Sequence, residues 1–300
     1  MLKIAYNDYY VQPLPEGHRF PMDKYDLLPK QLLHEGTVEE DAFFSPDVIS
    51  QQNVLAVHDE QYYSALLALE IDKRAQRKSG FPHDERLILR EQIIMEGTRK
   101  CAEYALEFGA SMNIAGGTHH AYTNRGEGFC LLNDQAIAAQ WLLNEKKANQ
   151  ILIIDLDVHQ GNGTAEIFKD NPQVFTFSMH GENNYPLKKE ISSLDVPLPD
   201  KIKDKEYLYL LEKHLDLILT KFTPDFLFFQ SGVDIIDTDK LGRLGVSIQG
   251  CRQRDEIVFR CTKELGIPIV ASMGGGYSPE IKNIIEAHAN TYRAAQQILF

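Results

Sequence analysis

The segment ILIIDLDVHQGNGT, residues 151–164, decides how the chain is expected to fold. Its first four residues are aliphatic with no polar alternation, which is typical of a strand buried on both faces of a parallel sheet. Polar residues begin directly where this strand is predicted to end. In parallel sheets, ligands bind beyond the carboxyl ends of the strands. The segment therefore predicts a central strand followed by a loop that is placed to bind a ligand.

Short apolar runs bounded by turn residues recur along the chain and alternate with helical patterns. The predicted strands are Leu2–Tyr6, Met112–Ala115, Ile151–Ile154, Val174–Phe177, Phe226–Phe229 and Ile267–Ala271. The predicted helices are Gln61–Leu69, Leu87–Phe108, Asn133–Asn144, Lys205–Lys221, Arg252–Leu265 and Pro279–Phe300. This alternation predicts an α/β fold, a three-layer α/β/α sandwich with a central, mostly parallel sheet.

The chain shows no linker and no internal repeat, so residues 1–300 are expected to form a single domain. The polar stretch Asp72–Arg86 is expected to be a solvated loop between two helices. Four cysteines are scattered without a CxxC pair, which indicates reduced thiols rather than a disulfide framework or a zinc ribbon.

The charge balance limits the classes of partner. The chain has 31 basic and 43 acidic residues, a formal net charge of −12. A general nucleic-acid-binding surface needs a basic face and is not expected, whereas a negative field weakly favours cationic substrates. No apolar run approaches the ~20 residues of a membrane span, and no secretory signal is evident. We therefore expect a cytoplasmic protein without nucleic-acid or membrane partners, while its oligomeric state is not indicated.

Two strand ends carry candidate metal ligands. Asp155, Asp157 and His159 alternate after the strand Ile151–Ile154, so they share one side of the extended chain. A polar strand end with Asn162 as helix cap is the alternative, but two carboxylates and an imidazole are costly to bury for that purpose. Asp234, after the strand Phe226–Phe229, is placed to add a third ligand. A His and two carboxylates predict a divalent-cation site with a position open for water.

Two further strand ends carry groups that could perform chemistry beside that ion. GGTHHA, residues 116–121, presents His119 and His120 on a glycine turn, where one imidazole could act as a general base. SMGGGY, residues 272–277, presents the hydroxyl of Tyr277 as a donor to a developing oxyanion. Between them, Phe129 could form the wall of an apolar channel. Together these parts predict metal-assisted hydrolysis of an uncharged amide or ester.

The motifs GGTHHA, GEGFCLLND, DLDVHQGNGT, FSMH, QSGVD and SMGGGY occur in this order from residue 116 to residue 277. In this combination the sequence resembles the zinc-dependent histone deacetylase family. HRFPMDKY, residues 18–25, and GEGFCLLNDQAIAA, residues 126–139, are most similar to its class IV branch and bacterial relatives. The resemblance implies the arginase/deacetylase fold and a zinc-dependent lysine deacylase.

The resemblance also implies roles for individual residues. Asp157, His159 and Asp234 match the zinc ligands, although such a site also accepts Fe²⁺. His120 matches the general base, His119 its companion and Asp155 the residue that holds His119. Tyr277 matches the residue that polarises the carbonyl, and Asn162 the partner of the base. The substrate tunnel is expected to involve Phe129, Gly128, Gly275, Gly276 and Leu241.

A structural K⁺ ion beside the zinc is implied as well. Its expected ligands are Asp155, Ser178 and backbone carbonyls of Asp155, Asp157, His159 and Met179. A second, outer K⁺ site is expected at the backbone near Phe168, Asn171 and Val174.

Two departures from the family pattern affect the prediction. Asn162 stands where some members have Asp, so the pKa of His120 is expected to be lower than in those members. Residues 239–242 are DKLG where many members have DPLG, which leaves the peptide preference open. The substrate is expected to be an acyl-lysine protein or a small cationic amide such as an acetylated polyamine. A dinuclear manganese ureohydrolase and a non-catalytic acyl-lysine binder are the remaining alternatives.

Overall fold

Eight strands, all parallel, form one sheet in the computed structural model, which describes all 300 residues. The strands are β1 (Lys3–Ala5), β2 (Phe43–Phe44), β3 (Ala110–Asn113), β4 (Ile151–Asp155), β5 (Val174–Gly181), β6 (Leu194–Leu198), β7 (Phe226–Gln230) and β8 (Ile269–Ser272). Their order across the sheet is β2-β1-β3-β8-β7-β4-β5-β6. The predicted parallel sheet is confirmed, and the one domain from 1 to 300 stays a prediction.

Ten α-helices cover this sheet. They are α1 (Lys24–His34), α2 (Gln51–Leu55), α3 (Glu60–Leu67), α4 (Lys73–Ser79), α5 (Glu85–Phe108), α6 (Asp134–Asn144), α7 (Asn162–Phe168), α8 (Asp204–Leu219), α9 (Ile248–Leu265) and α10 (Ile281–Leu299). Helices α8, α9, α10 and α1 pack side by side, while α5, α6, α7 and α2 pack with one another. These groups form the outer layers of the predicted sandwich. No helix is both long and apolar enough to cross a bilayer.

The central strands bring the candidate site together. Every residue of β4 and β7 is buried, as expected for strands covered on both faces. Asp155, the last residue of β4, pairs with Gln230 at the end of β7 and with Ser178 in β5. Strands β3, β8, β7 and β4 are consecutive neighbours. The loops that follow these four strands therefore meet at one edge of the sheet.

The prediction of a solvated loop over Asp72–Arg86 was wrong in part, because residues 73–79 form helix α4. The carboxylate of Asp72 caps the helix by accepting hydrogen bonds from the backbone N–H groups of Arg74 and Ala75. Gly80 ends it in the left-handed conformation, with φ 84°. The seven residues show no apolar stripe, so hydrophobic periodicity could not reveal the helix.

The sequence patterns also missed several other elements at the edges of the fold. Strand β6 lies at the edge of the sheet, where the hydrogen-bond donor that Pro197 lacks is not needed. The alternation of buried and exposed residues along β6 is weak. Helix α1 contains Pro29, which argues against a helix in any pattern-based prediction. All four cysteines are free thiols, as expected.

Candidate active site

Asp157, His159 and Asp234 form one buried cluster at the carboxyl edge of the sheet, where the sequence placed the metal ligands. One ligand atom from each residue lies within 4.8 Å of the others. His159 Nδ1 is 3.1 Å from Asp157 Oδ1 and 3.1 Å from Asp234 Oδ2. Asp234 Oδ2 is buried without a hydrogen-bond partner, which is costly unless a cation or a proton compensates it.

Backbone donors fix the two carboxylates of this cluster. Asp157 accepts hydrogen bonds from the N–H of His159 at 3.0 Å and of Gly275 at 2.8 Å. Asp234 Oδ1 accepts one from Val158 N at 3.0 Å, so the loops after β4 and β7 are joined at the site. A Cβ atom at Gly275 would collide with Asp234 Oδ2. Glycine at this position therefore allows the backbone to approach the ligand cluster.

Burial and the mutual interactions of the cluster shift the pKa values of its groups. Burial lowers the pKa of His159, but the carboxylates of Asp157 and Asp234 outweigh it and raise that pKa to about 10. Burial and the neighbouring charge of Asp157 raise the pKa of Asp234 to about 7. Because metal ligands must be deprotonated, these shifts imply that a divalent cation would release protons when it binds.

His119 and His120 lie side by side, with ring centroids 4.1 Å apart, and have different partners. His119 Nδ1 is 2.7 Å from Asp155 Oδ2, whereas His120 Nδ1 is 2.6 Å from Asn162 Oδ1. Burial lowers the pKa of His119, but the carboxylates of Asp155 and Asp157 outweigh it and raise that pKa to about 9. Burial and the positive charges of His119 and His159 lower the pKa of His120 well below its usual range. At neutral pH the pair therefore consists of one imidazolium and one neutral imidazole.

Asn162 is the first residue of α7, and its side chain does not cap that helix, so the alternative of a helix-capping Asn162 was wrong. Its Nδ2 donates to the hydroxyl of Tyr122 at 2.9 Å, which turns Oδ1 toward His120. An amide oxygen accepts the Nδ1–H of His120 and leaves Nε2 as the basic nitrogen. The structure thus fixes the tautomer of the neutral histidine.

Tyr277 completes the arrangement from the loop after β8. Its ring centroid lies 6.5 Å from that of His159 and 6.0 Å from that of Phe129. Its backbone N–H donates to Asp239 Oδ2 at 2.6 Å. Burial and the carboxylates of Asp234 and Asp157 raise the pKa of Tyr277 well above its usual range. The hydroxyl therefore stays protonated and available as a donor.

Comparison with known proteins identifies the family of the chain. The histone deacetylase domain model matches residues 18–292. The chain belongs to the histone deacetylase family. It is 40% identical over 295 residues to an uncharacterized protein of Picosynechococcus sp., covering 98% of each chain. It is 30% identical over 277 residues to histone deacetylase 2 of Arabidopsis thaliana, covering 89% of this chain and 72% of that one.

Solved structures of similar proteins confirm the arginase/deacetylase fold. A histone deacetylase homolog from Aquifex aeolicus superposes with a TM-score of 0.82 at 25% identity, covering 98% of this chain and 83% of that one. A histone deacetylase homolog complexed with SAHA gives a TM-score of 0.83 at 26% identity, with the same coverage.

Two cavities in this histone deacetylase family member meet at the clustered residues. The mouth cavity, of about 330 Å³, is lined by the predicted residues Phe129, Gly128 and Leu241, and it reaches His120, His159 and Tyr277. The inner cavity, of about 40 Å³, continues beyond Asp157 and His159 into the protein, and Gly275 lines it. Gly276 lines neither cavity, because it packs against Val233 and Ile284. Its predicted contact with substrate therefore lacks support.

Sequence reasoning missed several residues of these cavities. Tyr185 lines the mouth, with its ring 5.0 Å from that of His120, and its hydroxyl donates to Glu127 at 2.5 Å. Lys24 and Arg90 line the inner cavity, where Lys24 donates to the carbonyl of Gly274 at 3.1 Å. Burial lowers the pKa of Lys24 to about 8. The fragment HRFPMDKY contained Lys24, but only the fold shows that it reaches the site.

The expected K⁺ ligands are adjacent, although their ion binding stays a prediction. Ser178 pairs in register with Asp155, its Oγ lies 2.9 Å from His180 Nδ1, and Met179 follows in β5. Asp155 Oδ1 accepts from the N–H of Asp157 at 3.1 Å. At the outer site, hydrogen bonds from Asn171 N to Phe168 O and from Val174 N to Asn171 O form consecutive turns.

Proposed function

We propose that the protein is a zinc-dependent amidohydrolase that removes an acetyl or similarly short acyl group from lysine side chains. One observation carries the proposal. His119, held by Asp155, and His120, held by Asn162, lie side by side at a cavity that Asp157, His159 and Tyr277 also line. Hydrolysis of an amide requires a proton acceptor, a proton donor and stabilisation of an oxyanion, and this cavity provides all three.

The residues present fit a divalent metal. The donor set consists of two carboxylates and one imidazole and includes the unpartnered Asp234 Oδ2. It suits Zn²⁺, with Fe²⁺ as the alternative. When bound, such an ion polarises the substrate carbonyl and lowers the pKa of a water molecule. We also propose K⁺ at Asp155 and Ser178, with the role of stabilising the loop that follows β4.

His120 is the proposed general base. Its Nδ1 is held by Asn162, so Nε2 is the atom that accepts a proton from the attacking water. The low pKa keeps His120 neutral and competent across the physiological range. The buried amide of Asn162 orients the ring without adding charge.

His119 is the proposed general acid. Its Nδ1 is bound by Asp155, and its Nε2 lies 3.9 Å from Asp157 Oδ1. With a pKa of about 9, the imidazolium can give the Nε2 proton to the departing lysine amine and then be restored from solvent. Asp155 therefore acts through His119, by keeping it charged and oriented.

Tyr277 is the proposed oxyanion donor. Its backbone N–H donates to Asp239, and its side chain lines both cavities. A donor that needs no reorganisation before it binds the developing charge gives the largest stabilisation. Phe129 and Tyr185 would enclose the substrate's methylene chain and exclude water.

The inner cavity favours a short acyl group. Its volume of about 40 Å³ is small, and the ammonium group of Lys24 and the guanidinium of Arg90 line it. A long alkyl chain would have to displace these buried charged groups from their partners, which is costly. We therefore expect activity to fall from acetyl-lysine to octanoyl-lysine and myristoyl-lysine.

A dinuclear ureohydrolase is less well supported, because the carboxylate next to the cluster is already engaged. Both oxygens of Asp155 have partners, His119 Nδ1 on Oδ2 and Asp157 N on Oδ1. The residues around Asp234, from Ser231 to Ile236, add no further carboxylate or imidazole.

The deciding experiment is an assay of the purified, zinc-loaded protein on acetyl-, butyryl-, octanoyl- and myristoyl-lysine peptides and on acetylated polyamines, with His120→Ala as control. Hydrolysis of acetyl-lysine that the substitution abolishes would support the proposal. A protein that binds these peptides but releases no product would instead be an acyl-lysine binder.

A further inference from the structure

The mouth of the site carries a charge opposite to that of the whole chain. Three cationic residues, Arg19, Lys78 and Arg243, line the mouth cavity, and no carboxylate does. The chain as a whole has a formal net charge of −12. Since a substrate experiences the local potential as it enters, the rim attracts anionic groups even though the protein is acidic.

These cations are exposed and poorly neutralised. Arg19 and Lys78 take part in no ion pair. Arg243 is 3.7 Å from Asp200 and keeps 59% of its side chain exposed. The guanidinium of Arg19 lies 4.9 Å from the ring centroid of Phe129, which holds it beside the tunnel wall. All three remain available to a ligand.

Helix α4, which carries Lys78, is attached to the tunnel wall. The carbonyl of Lys78 accepts from Gly128 N at 3.0 Å, and the carbonyl of Ser79 accepts from Phe129 N at 2.7 Å. The helix therefore has a fixed position relative to the mouth. It adds three further exposed cations, which are Lys73, Arg74 and Arg77.

The loop of residues 182–193 provides apolar surface at the same mouth. Leu187, which lines the cavity, is 93% exposed, and Ile191 is 83% exposed. Lys189 Nζ holds the loop in place by donating to the carbonyls of Asn184 at 2.7 Å and Pro186 at 2.6 Å. A small amide would leave Leu187 without contact. A segment of a protein chain can cover it together with Arg19, Lys78 and Arg243.

We propose that the protein acts on acyl-lysines that lie in acidic segments of other proteins, with flanking carboxylates contacting Arg19, Lys78 and Arg243. This inference rests on the proposed deacylase function and names its substrate class. An acetylated polyamine would bring its ammonium groups toward the same three cations, so the rim disfavours it.

The test compares acetyl-lysine peptides of equal length that carry glutamate, glutamine or lysine at the flanking positions. At low ionic strength we expect kcat/KM to be about tenfold higher with glutamate than with lysine, from several weak, exposed ion pairs. The difference should shrink as salt is added. The triple variant Arg19→Gln, Lys78→Gln, Arg243→Gln should lose the preference.

A matched control variant has the same change in net charge, but its substituted residues lie elsewhere on the surface. The triple variant Lys169→Gln, Lys205→Gln, Lys213→Gln alters exposed lysines that line neither cavity, and it should keep the glutamate preference. Equal kcat/KM for the three peptides, or equal loss of preference in both triple variants, would overturn the proposal. Hydrolysis without charge preference would leave the proposed function intact, whereas no hydrolysis of any peptide would reject both.

Two further measurements distinguish an acidic protein segment from other anionic ligands. If Nε-acetyl-lysine with a free α-carboxylate is preferred over its α-amide while flanking glutamates have no effect, the ligand is a small carboxylate, and the proposal fails. If an oligonucleotide inhibits more strongly than an unacylated glutamate peptide of equal charge, the rim binds nucleic acid, and the proposal fails as well.

Discussion

Asn162 Oδ1 lies 2.6 Å from His120 Nδ1, and this contact joins the loop after β3 to the start of α7. Burial and the positive charges of His119 and His159 outweigh the hydrogen bond with Asn162 and the charge of Asp157, so the pKa of His120 is low. A carboxylate at the same position would stabilise the imidazolium and raise that pKa. The identity of residue 162 thus sets the pH range in which the proposed base works.

The variant Asn162→Asp should move the acidic limb of the kcat/KM profile to higher pH by about one unit or more. The base works only when it is neutral. A higher pKa of His120 therefore extends to higher pH the range in which the enzyme is inactive. Replacement by Ala should lower activity about 10- to 100-fold, because the ring loses its orienting partner. The exposed Asn144→Asp is the matched control, and an identical shift in that variant would contradict the assignment.

Tyr277→Phe should reduce kcat about 10²–10³-fold with a smaller change in KM, the loss typical of one oxyanion donor. The aromatic ring is kept, so its packing near Phe129 and His159 is preserved. Tyr209→Phe, at a residue 60% exposed on α8, removes a hydroxyl remote from the cavities and should have no effect. Wild-type kcat in Tyr277→Phe would exclude the proposed role.

Zinc affinity should increase with pH by about tenfold per unit for each proton displaced. The pKa of His159, raised to about 10 by its carboxylate neighbours, means that this proton must leave throughout the neutral range. Calorimetric titration in buffers of different ionisation enthalpy measures the protons released. Asp234→Asn should abolish tight binding, while Asp237→Asn, an exposed carboxylate nearby, should not. An affinity independent of pH would contradict the protonated state of the cluster.

Arg254→Met should destabilise the protein by about 3–5 kcal/mol, because it leaves Asp255 buried without its charged partner. Both side chains of this pair are fully buried, with Nε 2.8 Å from Asp255 Oδ1. Arg254 also donates to the carbonyls of Leu156 at 3.1 Å and Gly232 at 2.6 Å, and so joins the two loops that carry the metal ligands. The midpoint of urea unfolding and the zinc affinity should both decrease.

Arg252→Gln provides the comparison for that change, two residues earlier on the same helix. Arg252 pairs with Glu256 at 3.0 Å and remains partly exposed, so its loss should cost about 0–1 kcal/mol. Equal destabilisation by the two substitutions would show that the buried pair does not hold the site together.

The residues by themselves determined the fold class and the positions of the candidate ligands. Apolar runs such as Ile151–Ile154 can be satisfied only inside a sheet covered on both faces, and carboxylates directly after such runs must lie at its carboxyl edge. The order of motifs from His119 to Tyr277 indicated the family before any geometry was known. These features depend on local periodicity and on spacing along the chain, which a sequence records directly.

Only the tertiary structure decided how the ligands are held and which charges surround them. Tyr185, Lys24 and Arg254 come from distant parts of the chain, and nothing in their local patterns marks them as parts of one site. Helix α4 has no apolar stripe, so only the tertiary structure shows the helix, with its cap and its contacts with Gly128 and Phe129. The net charge indicated cationic substrates, but the folded chain places three cations, Arg19, Lys78 and Arg243, at the mouth. Net charge is a sum over residues and does not record where the charges lie, whereas electrostatic attraction depends on their positions.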